Sequence, residues 1–142
     1  MWECPKCRRR FVTANMWHSC GTFDLDHHFD KKSERVRRIY DDLVAAMESA
    51  VGDFEVVPQK TRICFMTQTR FANCRTLKSG LILNFGLPHH LSHPRIRVAK
   101  DEGSNWIIHE VRLEQPSDID KTLLDWLAAS RKLMGDRERF KN

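Results

Sequence analysis

Acidic residues are missing from the middle of this 142-residue chain. From Val56 to Lys100 there is no aspartate or glutamate, although Lys60, Arg62, Arg70, Arg75, Lys78, Arg95, Arg97 and Lys100 all fall there, with His89, His90 and His93 beside them. That gap excludes a carboxylate pair for acid–base work or for holding magnesium within the stretch, and a nuclease-type cluster of acids on central strands. Long hydrophobic runs are missing too. None approaches the roughly 20 apolar residues a helical span requires, so no membrane partner is expected. Lys6 and Arg8 to Arg10 are not followed by an apolar stretch, and no signal peptide is expected. A glycine-rich phosphate loop, a nucleophile elbow and a His-Glu-x-x-His helix are all lacking. Without such motifs the chain reads as a binding protein rather than an enzyme. Five cysteines do not pair evenly into disulfides.

Four residues near the N-terminus carry the sharpest signal present. Cys4, Cys7, His18 and Cys20 lie in the string CPKCRRRFVTANMWHSC. Two residues between Cys4 and Cys7 let both sulfurs face one ion. His18 and Cys20 lie two apart, so in an extended segment they point the same way. Three sulfurs and an imidazole close a tetrahedral shell, which is the pattern of a structural rather than a catalytic zinc ion. His28 is an alternative to His18 as the fourth ligand. Metal-ligand spacing without a secretion signal points to a reducing cytoplasm. Cys64 and Cys74 read as small buried residues in strands.

Residues 1–21 are therefore expected to form a zinc finger that folds on its metal, with Trp2, Phe11 and Trp17 as a miniature core. Residues 22–32 read as a connector and 136–142 as a charged tail. Residues 33–135 hold enough apolar periodicity for one α+β domain. Val36, Ile39, Tyr40, Leu43, Val44 and Met47 repeat at the helical period behind Ser33 as N-cap, with Gly52 as the stop. Arg35, Arg37 and Arg38 lie on the first turns, where positive charge opposes the helix dipole, which hints at an outside partner. Five or six short strands follow. They begin near Phe54, Thr61, Arg70, Leu81, Arg95 and Trp106, and Lys78-Ser79-Gly80 forms a hairpin turn. Ser117, with Asp120 three residues on, caps a second helix whose stripe is Ile119, Leu123, Trp126, Leu127, Ser130 and Met134. Hairpin-length links make the sheet mainly antiparallel, with both helices on one face and the other face open.

Uncompensated cations attract phosphates. Lys60, Arg62, Arg70, Arg75, His93, Arg95, His109 and Arg112 are the candidates for an anion or nucleic-acid site on that open face. His109 also reads as a core histidine by strand alternation. If the same side chains converge in a pocket, a small anionic ligand or an enzyme's substrate is the alternative. A finger that docks a protein partner is a third reading.

The order of these residues resembles a known family. Trp2-x-Cys4-Pro5-x-Cys7-x-Arg9-x-Phe11, His18-Ser19-Cys20 and His28-Phe29 are followed by Pro58-x-Lys60-Thr61-Arg62-Ile63-x-Phe65. Phe71-Ala72, His93-Pro94-Arg95 and His109-x-Val111-Arg112-Leu113 complete the series. The chain resembles bacterial proteins built on the domain of unknown function numbered 5655, preceded by a one-knuckle zinc finger. Arg8 stands where that knuckle often has glycine. The resemblance implies a cytoplasmic protein with a compact α+β body, similar to YdhG-like folds and to the double-wing DNA-binding group. Combined with the charge distribution, it favours a zinc-containing, nucleic-acid-associated protein. Its basic sheet face and the finger's Arg8, Arg9 and Arg10 would meet phosphates without regard to sequence.

Overall fold

A computed structural model describes residues 1–6, 8, 10–12, 14, 24–101 and 106–136. Strands β1 (Trp2–Glu3) and β2 (Arg10–Phe11) pair as a small antiparallel hairpin. The body begins with a 3-10 turn, Leu25–Phe29, capped by the Asp24 carboxylate on the Asp26 N–H. Helix α1 (Glu34–Ala50) follows. Strands β3 (Glu55–Pro58), β4 (Ile63–Met66), β5 (Arg70–Thr76), β6 (Leu81–Leu87), β7 (Val98–Asp101) and β8 (Ile107–Leu113) come next, and then helix α2 (Lys121–Ser130). A π-helical turn, Arg131–Gly135, extends α2.

The six body strands form one antiparallel sheet in the order β3-β4-β5-β6-β8-β7. Strict alternation decides which side chains meet the helices. Ile63, Phe65, Cys74, Leu81, Leu83, Phe85, Val111 and Leu113 are on the covered face. They pack against Val36, Ile39, Leu43 and Met47 of α1 and Leu123 and Leu127 of α2. Phe71 joins them because the register shifts between Phe65 and Met66, which swings one extra residue of β5 inward. A smaller cluster of Val57, Cys64 and Met66 lies on the other face.

Several local expectations shift. Ser33 occupies the N-cap position of α1, but its hydroxyl makes no cap bond. Ser117 does not start α2. Residues Pro116–Asp118 form a 3-10 turn with a Gln115/Asp118 capping box, and Asp120 is the N-cap, accepting from the Leu123 N–H at 3.0 Å. The strand expected near Arg95 begins at Val98, because His93 closes a turn first: its Nδ1 accepts from the Arg95 N–H and its carbonyl from the Ile96 N–H. Gly52 stands at φ 105°, and its N–H returns to the Met47 carbonyl as α1 ends. Arg131 closes the same end from α2, donating to the Val51 carbonyl at 2.7 Å. Leu25 and Phe29, within the expected connector, pack against the core. Phe29 packs on Tyr40 with ring centroids 5.2 Å apart, and Thr76 donates to the His28 carbonyl at 2.6 Å.

Candidate nucleic-acid interface

Antiparallel register aligns cations that are far apart in sequence. Ile63 pairs with Cys74, so Arg62, one residue earlier, stands opposite Arg75. Arg75 pairs with Ile82, and Ile82 with Arg112. These positions alternate with buried Ile63, Cys74, Leu81, Leu83, Val111 and Leu113, so the row lies on the face without helices. Strands sit about 4.8 Å apart, which gives the row from Arg62 to Arg112 a span of roughly 14 Å. Ile82, only 5% exposed, sits between Arg75 and Arg112. Arg62 and Arg75 make no ion pair among the described residues, whereas Arg112 meets Glu114 at 3.3 Å. Lys60 is exposed in the β3–β4 turn, which the Gln59 N–H ties to the Arg62 carbonyl at 2.8 Å.

The remaining candidates do not join this row. Arg95 is spent within the fold: it pairs with Asp120 at 3.0 Å and donates to the Asp118 carbonyl. His93 lies edge-on to Trp126, 5.0 Å between centroids. His109 is fully buried on the helix-covered face, stacked on Phe85 at 5.3 Å, with its Nε2 accepting the Leu91 N–H at 3.0 Å. Its reading as a core histidine therefore holds. His90, Leu91, Ser92, His93, Ile96 and Ala99 line a shallow open cleft of about 230 Å³ beside it. Lys60 and Arg62, which a small-anion pocket would share with His93 and His109, are not part of that lining. Arg70 is elsewhere again, its guanidinium 5.4 Å from the Phe11 ring of the N-terminal hairpin.

Burial lowers the pKa of His109, and nearby His90 and His89 lower it further, against the pull of the Phe85 and Ile107 carbonyls. Burial likewise lowers His28, with the Gln59 carbonyl opposing. Both folded pKa values thus lie below that of the unfolded chain, near 6.5. The unfolded state takes up protons first. Stability is therefore full above about pH 6.5 and is lost as pH falls through that value toward the folded pKa values. Urea unfolding at pH 7.5 and pH 5 should show the decline. His109→Phe keeps the stacking and removes the acceptor. It should flatten part of that decline and cost about 1–3 kcal/mol at pH 7.5, because the Leu91 N–H loses its partner.

Sequence reasoning missed how many cations share one end of the sheet. The Ser33 N–H approaches the Lys78 carbonyl at 3.5 Å, and the Thr76–His28 bond lies next to it. Lys31, Lys32 and Arg35 are thereby placed next to the β5–β6 turn, at the end where Arg75 also lies. The crowding of positive charge on the first turns of α1 was the available signal. Arg37, however, is not free for a partner. It bonds Asp26 at 2.7 Å and Asp41 at 3.2 Å, and its guanidinium lies 4.8 Å from the Phe29 ring centroid. The Asp26 carboxylate raises its pKa.

In the N-terminal hairpin, Cys4 is 3% exposed, its carbonyl accepts the Arg8 N–H at 2.8 Å, and Arg8 has φ 66°. Glycine adopts that left-handed backbone more readily than arginine does. Cys7, His18 and Cys20 lie outside the described residues, and so does Arg9. No group of three metal-binding side chains occurs among the described residues. Cys64 and Cys74 are fully buried and form no disulfide. Burial pushes the Cys74 thiol far up, beyond any range in which it would act as a nucleophile. No helix among the described residues is long and apolar enough to cross a membrane.

No curated protein and no solved structure matches the chain. The sequence model of a family described as "Domain of unknown function (DUF5655)" matches residues 25–133, from the 3-10 turn that precedes α1 to the turn that extends α2. The match takes in the packed body up to Leu133, one residue short of buried Met134, and includes the segment Leu25–Phe29 that the sequence reading placed in a connector. With well over half of its residues matched, the chain belongs to the DUF5655 family.

Proposed function

We propose that this protein binds nucleic acid through the helix-free face of its sheet, with Arg62, Arg75 and Arg112 contacting phosphates and Lys60 at the rim. One observation carries the reading: antiparallel register lines up three guanidinium groups from separate strands on one face, and two of them have no acidic partner among the described residues. Planar forks of this kind suit phosphate oxygens. Such contacts release counterions, so affinity falls with salt. With three phosphates neutralised, binding to a short fluorescein-labelled oligonucleotide should weaken about 40-fold between 50 and 200 mM salt. Affinity that stays flat over that range contradicts the proposal.

A structural zinc ion on Cys4, Cys7, His18 and Cys20 belongs to the same reading. Buried Cys4, at the head of a tight turn, suits a thiolate ligand. His28 is the weaker candidate for the fourth position, since it belongs to the body's 3-10 turn, where its carbonyl accepts from Thr76. Elemental analysis should find one zinc per chain. Cys4→Ser and His18→Ala should lose it and His28→Ala should keep it. Full occupancy in His18→Ala would contradict this ligand set. The finger is a second surface for phosphates through Arg8 and Arg10, both exposed, although Arg8 already pairs with Glu3 at 3.2 Å.

A further inference from the structure

We infer that the nucleic acid recognised is double-stranded, gripped by a cationic ledge that turns the corner from the sheet face onto the N-terminal end of α1. The inference rests on the nucleic-acid reading above and specifies its partner.

The ledge has two walls. One is the guanidinium row Arg62, Arg75 and Arg112 on the helix-free face. The other is made of Lys78 in the β5–β6 turn and Lys31, Lys32 and Arg35 at the start of α1, joined to that turn by the Ser33–Lys78 and Thr76–His28 bonds. None of Lys31, Lys32, Arg35, Lys78, Arg62 and Arg75 forms an ion pair among the described residues, and nearby Asp26 and Asp41 are held by Arg37. Arg112 alone of this set meets an acid, Glu114; the others keep their charge for a ligand.

The chemistry of the row's neighbours argues against a single strand. Proteins that hold single strands stack bases on aromatic rings. The next row along this face is Cys64, Asn73, Asn84 and Glu110, with Asn84 donating to Asn73 at 3.3 Å. Amides and a carboxylate give unstacked bases no ring to lie on beside the arginine row; the Trp106 ring on this face lies farther along it, over Gly86. Charge density favours the alternative. A duplex carries a phosphate charge about every 1.7 Å of its axis on two backbones, and cations on the two flanks of one sheet end can each meet one of them. A single strand offers one backbone.

The test uses the full chain with a fluorescein-labelled duplex and with each of its strands alone, at matched ionic strength. The duplex should bind at least about tenfold more tightly than either strand, with a steeper salt dependence. Arg35→Gln/Lys78→Gln, at two exposed positions, should weaken duplex binding about tenfold and reduce its salt slope by about 2. Single-strand binding should stay within about twofold, and an unchanged melting temperature would show the fold intact. Equal or tighter single-strand binding, or weakening of both ligands alike by the double variant, would overturn the inference while leaving the nucleic-acid reading in place. No binding to duplex or strand at low salt would overturn both.

Discussion

Replacing Arg62 and Arg75 together with glutamate should reduce nucleic-acid affinity on the order of a hundredfold at low salt, equally for every sequence tried. Both side chains are exposed, one residue before β4 and near the end of β5, and neither is engaged by an acid among the described residues. Removing them therefore costs the fold little, while reversing their sign places two carboxylates side by side where two phosphates would sit. The milder Arg62→Gln/Arg75→Gln should lose about tenfold and lower the salt slope by about 2. Arg95→Gln serves as the contrasting variant. Its guanidinium is occupied by Asp120 and the Asp118 carbonyl, so binding should hardly change while stability falls. A result in which Arg95→Gln weakens binding as much as the Arg62/Arg75 variants would relocate the interface to the α2 side.

Phe65→Ala should cost about 3–5 kcal/mol of folding free energy. Phe65 is fully buried in β4, where the ring meets Phe54 edge-on at 5.5 Å between centroids. Its cross-strand partners are Val56 and Ala72. Ala72 is too small to fill the vacated volume, and α1 packs over the same face, so collapse would be incomplete. Domains of this size are marginal, and such a loss consumes a large share of their stability. Equilibrium urea unfolding would register it as a lower midpoint. A cost below about 1 kcal/mol would mean that the sheet–helix interface closes around the gap, contrary to the packing described.

The fold was largely legible because both of its periods are clean. Val36, Ile39, Leu43 and Met47 repeat as a helix does, and all are buried. Arg62, Cys64 and Met66 alternate with Ile63 and Phe65 as a half-covered strand does, and the two sets occupy opposite faces. Ends were less legible because competing caps lie close together. Ser117 and Asp120 both suit an N-cap, and a 3-10 turn at Pro116–Asp118 gives the position to Asp120. The site was legible only in part, for a different reason. Excess positive charge between Val56 and Lys100 is visible in one dimension, but its use depends on acids brought from elsewhere. Asp120 reaches Arg95 across 25 residues, and Asp26 reaches Arg37 across 11. Neither pairing follows from local pattern. The alignment of Arg62, Arg75 and Arg112 needs the register of four strands, and the approach of Lys78 to the start of α1 needs the tertiary fold.

The most direct measurement is amide NMR mapping of the labelled full chain during titration with an unlabelled short DNA duplex. The account predicts that the largest shifts fall at Arg62, Arg75, Ile82 and Arg112 and at the Lys78 turn, with Leu91, His93 and His109 unmoved. Shifts centred on residues 89–97, or an unperturbed spectrum at millimolar duplex and low salt, would contradict it.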